Sequence, residues 1–299
     1  MECSQDEVPG PWFYLQPYRA PRISIRGYRV WKRLIDRALG FLANHAPTTQ
    51  LVAALPLPDA AAEKEFEAFV LSQLLSKQAC ADDLYRRLQL VFPWLKTGMS
   101  GALPEAAEPP EGALLGLLAM GALTQGAYRS IAGSLIDQAY DLLPVHTDAY
   151  EHPSDSGIPF FRRICFFDVV PSGIALQSDV TAVGGLTYRY AVIRRIMILV
   201  YKAAHAIGLN YAFETSNQRV WKSIEDALSD LLLKIYQKRG LSGASPEDAF
   251  SVVCDRSTMT QQDIDNGRFI VNISLQPAVP IERITVNLLI DRSGLTKTV

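Results

Sequence analysis

Seven basic residues fall between positions 19 and 37, Arg19, Arg22, Arg26, Arg29, Lys32, Arg33 and Arg37, against the single Asp36. Over the whole chain 29 lysines and arginines meet 31 acidic residues, so the excess is local and nothing in the overall charge marks a nucleic-acid binder. Arg26, Arg29, Lys32 and Arg33 are the candidates to face an acidic partner, an inner tube or a neighbouring subunit. An acidic counterpart runs through Asp137, Asp141, Asp148, Glu151 and Asp155 with no lysine or arginine between them. Opposite patches on one chain favour contact between copies. For either patch alone, a solvated surface is the ordinary alternative.

Residues with the spacing of a catalytic centre are missing. Neither G-x-x-x-x-G-K-[ST] nor G-x-G-x-x-G occurs, so no glycine-rich turn gathers backbone amides around a phosphate. H-E-x-x-H and G-x-S-x-G are absent too, and the histidines, His45, His146, His152 and His205, are scattered. His146 and His152 lie near Asp148 and Asp155, but zinc needs three or four converging ligands. Asp263-Ile264-Asp265-Asn266-Gly267 looks like a calcium loop until Gly267 is set at the sixth position. Gln262 then stands first and Ile273 twelfth, where carboxylates are required. Cys3, Cys80, Cys165 and Cys254 form no Cys-x-x-Cys pair and read as free thiols, the last two in the core. The arginine pairs at 86–87, 162–163 and 194–195 read as solvated edges. The expectation is no catalytic residue, no cofactor and no metal.

At 48% hydrophobic and 20% charged the chain folds, with length for one large or two smaller domains. Residues 1–22 are proline-rich and acidic at their start, the reverse of a signal peptide, which suggests assembly in the cytoplasm. Period-two spacing then predicts an extended piece over 22–30, carrying Ile23 and Ile25, followed by a helix over 30–46. Strands are expected at 51–55, 88–94, 160–170, 173–179, 209–213 and 250–255. Helices are expected at 59–77, from Pro109-Pro110 onward, at 188–206 with Gly208 as its stop, and at 218–239 with Asn217 as its N-cap and Gly240 as its C-terminal cap. The apolar stretch 112–128 contains four glycines and falls short of ~20 apolar residues, so it reads as a buried helix and not a membrane span. Ser245-Pro246-Glu247-Asp248 and Thr260 with Asp263 are capping boxes. Phe269, Val271, Ile273 and Leu275, then Ile284, Val286, Leu288 and Ile290, alternate with mainly polar residues as strands with one buried face. The connector Gln276-Pro277-Ala278-Val279-Pro280 is too stiff for a tight hairpin, so the last strand is expected to swing away from its own sheet.

The run from Val220 to Val286 carries Trp221-Lys222-Ser223-Ile224, Gly240-Leu241-Ser242-Gly243-Ala244-Ser245-Pro246-Glu247-Asp248-Ala249-Phe250 and the stretch Cys254 to Arg268. These residues resemble the C-terminal domain of tail sheath proteins from contractile phage tails and contractile injection systems. Tyr188 to Arg195, Tyr211 to Glu214, Phe92-Pro93-Trp94-Leu95-Lys96 and Pro109-Pro110-Glu111-Gly112 extend the likeness over roughly Leu84 to Ile290.

The resemblance implies a mixed α/β (α+β) fold, a sheath-type core with a mixed β-sheet flanked by helices and extended N- and C-terminal arms. It divides the chain into a basic arm and helix (1–46), a first core part with a proline-rich loop (47–160), a C-terminal sheath domain (161–290) and a tail (291–299). The implied function is a structural subunit around an inner tube, assembled by strand addition and contracting without nucleotide hydrolysis. Its arm residues would be Ile23, Ile25, Arg283, Ile284, Thr285, Val286, Asn287 and Leu288. Partners would be other sheath subunits, the inner tube protein and baseplate or terminal proteins, with no nucleic acid and no membrane span. The particle would be a virion tail or phage tail-like device. A shortened paralogue at a sheath end is the first alternative, an α/β enzyme the second, and a nucleic-acid module on the basic segment the third.

Overall fold

Ser24 decides where the first helix starts. In the computed structural model, which describes residues 22–58, 82–144, 163–183, 188–211, 217–266, 268–278, 284–291 and 294–298, its hydroxyl accepts the Gly27 N–H at 3.3 Å. That satisfies an orphan amide of the first turn. Helix α1 therefore runs Ile25–His45, and only Arg22–Ile23 (β1) remains of the extended piece expected over 22–30. Ile25 opens the helix, and Ile23 pairs with Pro58 of Leu57–Pro58 (β3).

The chain divides into two compact units, 1–124 with 130–185, and 125–129 with 186–299. In the first, Leu51–Ala54 (β2) pairs in parallel with Leu88–Phe92 (β4), which pairs in parallel with Cys165–Val170 (β8). A hairpin turned at Gly173, with φ +134°, joins β8 to Gly173–Leu176 (β9), whose far edge holds Leu135–Ile136 (β6). The result is a mixed sheet of order β2-β4-β8-β9-β6. Trp94–Thr97 (β5) and Ala139–Leu143 (β7) make a separate antiparallel pair. Both faces of the five-stranded sheet are covered. Leu88, Leu90 and Phe92 share a core with Tyr28, Ile35 and Leu39 of α1, while Val91, Cys165 and Phe167 pack with Leu114 of helix α2, Glu111–Thr124. Because β8 and β9 complete this sheet, the boundary expected at 160/161 falls inside the first unit. The helix expected at 59–77 lies outside the described residues.

The second unit packs helix α3, Ala191–Tyr211, and helix α4, Gln218–Gln237, with an antiparallel sheet. Asn217 caps α4 by accepting from the Arg219 and Val220 amides. Gly208 does not stop α3 as expected. It continues the buried line of Val200 and Ala204, so the helix passes through the residues expected to begin a strand at 209. The α4 stop also differs, since the positive φ falls on Arg239 at +60°. Gly240 is required for close approach instead, because a Cβ there would stand 2.6 Å from Ile235 and 2.7 Å from Tyr128. Tyr128 belongs to the short stretch 125–129, which Arg195 holds by donating to the Ala127 and Arg129 carbonyls, each at 2.9 Å.

The motif residues of this unit are structural. A Cβ on Gly243 would meet the Ala249 backbone at 2.7 Å, and Ser245 and Asp248 form the predicted capping box. Thr260 and Asp263 form the second. Phe250–Val253 (β10), Phe269–Leu275 (β11), Ile284–Asp291 (β12) and Gly294–Thr298 (β13) lie in that order in one sheet. Strand β12 thus does not swing away. It pairs with β11 residue for residue, from Leu275↔Ile284 to Phe269↔Ile290, and with β13 on its other side. The connector 276–283 starts anchored, with Ser242 N–H donating to Gln276 O and Ala278 N–H to Gly240 O, and its residues 279–283 lie outside the described residues.

Candidate interaction surfaces

Helix α1 sorts its basic residues by face. At 100° per residue, Tyr28, Ile35 and Leu39 point one way and are buried, while Arg26, Arg29, Arg33 and Arg37 lie within a band on the opposite side and are exposed. Among the described residues, the segment's two cations outside this band are neutralised. Lys32 Nζ sits 2.6 Å from Asp36, whose other oxygen accepts the Tyr85 hydroxyl at 2.6 Å, and Arg22 pairs with Glu105 at 2.7 Å. Among the described residues none of the four band arginines meets a carboxylate. Of the predicted basic candidates, Arg26, Arg29 and Arg33 are exposed, with Arg33 Nε donating to the Arg29 carbonyl at 3.4 Å, and Lys32 is ion-paired with Asp36. Sequence reading missed Phe41, which lies at the C-terminal end of the band, 61% exposed, with its ring 4.7 Å from that of His45.

The acidic counterpart is weaker than its sequence. Asp137 is exposed, but Lys96 sits 2.8 Å from Asp141, and Asp148, Glu151 and Asp155 lie outside the described residues. The hydrogen bond from Lys96 holds the Asp141 carboxyl below its ordinary range, and the same bond raises the lysine.

Helix α2 overturns the expectation of a buried helix. Leu114 is buried, but Leu115, Met120 and Leu123 are exposed, the last at 87%. Its sequence is apolar on all sides, so no period reveals which side faces the core. At its start, burial pushes the Glu111 carboxyl up, and one of its oxygens has no hydrogen-bond partner.

The arm residues are placed as follows. Ile284, Thr285, Val286, Asn287 and Leu288 form the ladder between β11 and β12, Ile23 lies in β1, Ile25 opens α1, and Arg283 lies outside the described residues. The sheet ends instead at β10 and β13. The arginine pairs are not solvated edges either: Arg87, Arg163 and Arg194 are buried, and Arg163 donates to Ala182 O at 3.0 Å. Gln89, fully buried mid-strand, bonds Gln50, Asp179 and Cys165, a polar node that fixes the sheet rather than a reactive one. Cys165 and Cys254 are buried free thiols, and burial pushes Cys254 up to about 12. Among the described residues no group of three or more His, Cys, Asp or Glu side chains is placed to hold a metal, and no helix is long and apolar enough to cross a membrane.

The fold, a mixed sheet covered on both faces and a second unit of paired helices with an antiparallel sheet, is similar to that of solved sheath and baseplate chains. No protein-family model matches the chain, and no curated protein does. Among solved structures, a chain of the anti-feeding prophage baseplate in its contracted state is similar, with TM-score 0.69 and 18% identity over 86% of this chain and 64% of that one. So is a chain of the contracted sheath complex of PVC, an extracellular contractile injection system, with TM-score 0.62 and 23% identity over 77% and 60%. The sheath tail protein of Desulfitobacterium hafniense follows at 0.53 and 15%, over 85% and 58%. The chain spans less than two thirds of each of these three.

Proposed function

We propose that the chain is a structural subunit of the contractile sheath of a phage tail or tail-like injection particle, assembled in the cytoplasm with other sheath subunits around an inner tube. The supporting observation is the fold, which follows both a sheath-complex chain and a baseplate chain over 77% and 86% of its length. Its work is mechanical: head-to-tail contacts that do not close repeat along a helix, and a concerted change of packing shortens the lattice without nucleotide hydrolysis. The faces available for those contacts are the outer side of α2 and the sheet edge at β10, where an extended segment of another subunit adds its backbone hydrogen bonds at about 1 kcal/mol each.

A second reading is a shortened subunit at a sheath end, bound to baseplate or terminal proteins. It is prompted by the likeness to baseplate chains, with TM-scores 0.69 and 0.58, beside the sheath chain at 0.62. Negative-stain microscopy of the purified chain separates the two. Long tubes are expected of a main sheath subunit, and rings or short stacks of an end subunit. A strictly monomeric protein at high concentration, alone and with its co-expressed tube protein, counts against both.

A further inference from the structure

We propose that the outer face of α1 is a docking surface for a carboxylate-bearing protein segment, with Arg26, Arg29, Arg33 and Arg37 as its cations and Phe41 as its apolar anchor. Geometry and pairing carry this together. The four arginines recur every three or four residues over about 16 Å of helix, and Phe41 extends the band to about 22 Å, at 1.5 Å per residue. Each neutralised cation of the segment, Arg22 and Lys32, already has its carboxylate. The four that lack one share a single exposed face, opposite the buried Tyr28, Ile35 and Leu39. Four guanidinium groups close together repel one another, and that repulsion is relieved by carboxylates presented at the same repeat. Arginine matches them in bidentate fashion, which lysine cannot do. Phenylalanine and arginine are both enriched at protein interfaces, and the exposed apolar ring at the end of the arginine row fits a protein side chain rather than a phosphate backbone. That the partner is a protein rests on the sheath reading; that the face takes an anionic ligand does not.

The probe is a fluorescein-labelled helical peptide with glutamates at i, i+4, i+7 and i+11 and a leucine one turn beyond, beside its all-glutamine counterpart and a labelled 20-base-pair DNA duplex. Anisotropy with the full chain at low salt is expected to show binding of the glutamate peptide only. Arg29→Glu/Arg33→Glu should weaken it by about tenfold or more, as close charge pairs across an interface do. Phe41→Ala should weaken it by a smaller factor without changing the salt dependence, since it removes no charge. All substituted residues are exposed, and circular dichroism confirms that the variants fold. Equal binding of the two peptides, an unchanged Arg29→Glu/Arg33→Glu variant, or tighter binding of the duplex overturns the proposal. Loss of peptide discrimination in a protein that still forms sheath-like tubes overturns the docking surface and leaves the sheath reading intact. Discrimination by a protein that stays strictly monomeric supports the surface and counts against the sheath reading alone.

Discussion

Proline at two neighbouring positions of β12 asks whether this strand belongs to its own subunit. Adjacent residues of a strand point their N–H groups toward opposite neighbours. The ladder with β13 begins only at Leu288↔Thr298, whereas the ladder with β11 covers Thr285 and Val286. At these two positions, then, one N–H faces β11 and the other faces no strand among the described residues. Thr285→Pro and Val286→Pro impose the same restriction on φ, but only one of them deletes a ladder bond. The bond is worth about 1 kcal/mol net, and the carbonyl it orphans costs about 1 kcal/mol or more. The two variants should therefore differ by about 2 kcal/mol in the opening free energy of the sheet, a factor of about thirty in the open population. Hydrogen exchange of the monomer, read on a peptide covering Phe269–Leu275, measures that factor directly. One variant should exchange far faster over this strand than the other. If both keep wild-type protection while assembly fails, β12 is not part of the monomer's sheet, and the assignment of its ladder to a single molecule is wrong.

Further consequences can be checked with smaller experiments. In a Cys3→Ser/Cys80→Ser background no thiol should react with a disulfide reagent at pH 8 until denaturant is added, because Cys165 and Cys254 are buried and the Cys254 thiol is pushed up to about 12. A raised thiol leaves stability intact below the unfolded thiol range and erodes it as pH rises toward the folded value, so urea midpoints should fall above pH 9 in wild type and less in Cys254→Ala. Glu111 is also raised by burial, so its contribution is present in acid and lost as pH climbs through its folded range; Glu111→Gln should raise the melting temperature at pH 7 by about 2–4 °C and have no such effect at pH 4. Removing the cap of α4 with Asn217→Ala should cost about 1 kcal/mol in chemical denaturation, and Asn217→Asp should restore most of it.

What could be read in advance followed periodicity and short-range chemistry. The alternation of Phe269, Val271, Ile273 and Leu275 gave their burial correctly, and Asn217, Ser245 and Thr260 cap the turns they were expected to cap. Failures arose where one residue type serves two purposes. Glycine at 208 reads as a stop, yet its lack of a side chain lets it continue the buried line of α3. Arginine at 163 reads as a solvated charge, yet its guanidinium is an inward donor to a backbone carbonyl. The uniform apolarity of α2 carries no phase, so no rule of spacing marks Leu123 as exposed and Leu114 as buried. For the basic segment, charge was legible but pairing was not. Whether Lys32 is free depends on Asp36 four residues on, and the engagement of Asp36 by Tyr85 depends on a contact 49 residues away in sequence.

The β12 reading failed for a different reason. A period of two reveals a ladder without revealing whose ladder it is, because a strand makes the same hydrogen bonds and buries the same face with its own β11 or with another molecule's. Only the entropy of closing the chain separates the alternatives. The connector 276–283 joins β11 to β12 through a short loop, and such a loop holds its ends at an effective concentration in the millimolar range. A neighbour must present a vacant edge at more than that concentration to compete. Prolines at 277 and 280 forbid a tight turn but do not lengthen the loop enough to change this balance. Pairing within the chain therefore wins for the isolated chain, and the proposed assembly uses surfaces that this pairing leaves exposed: the apolar outer side of α2, the arginine band of α1 and the sheet edge at β10.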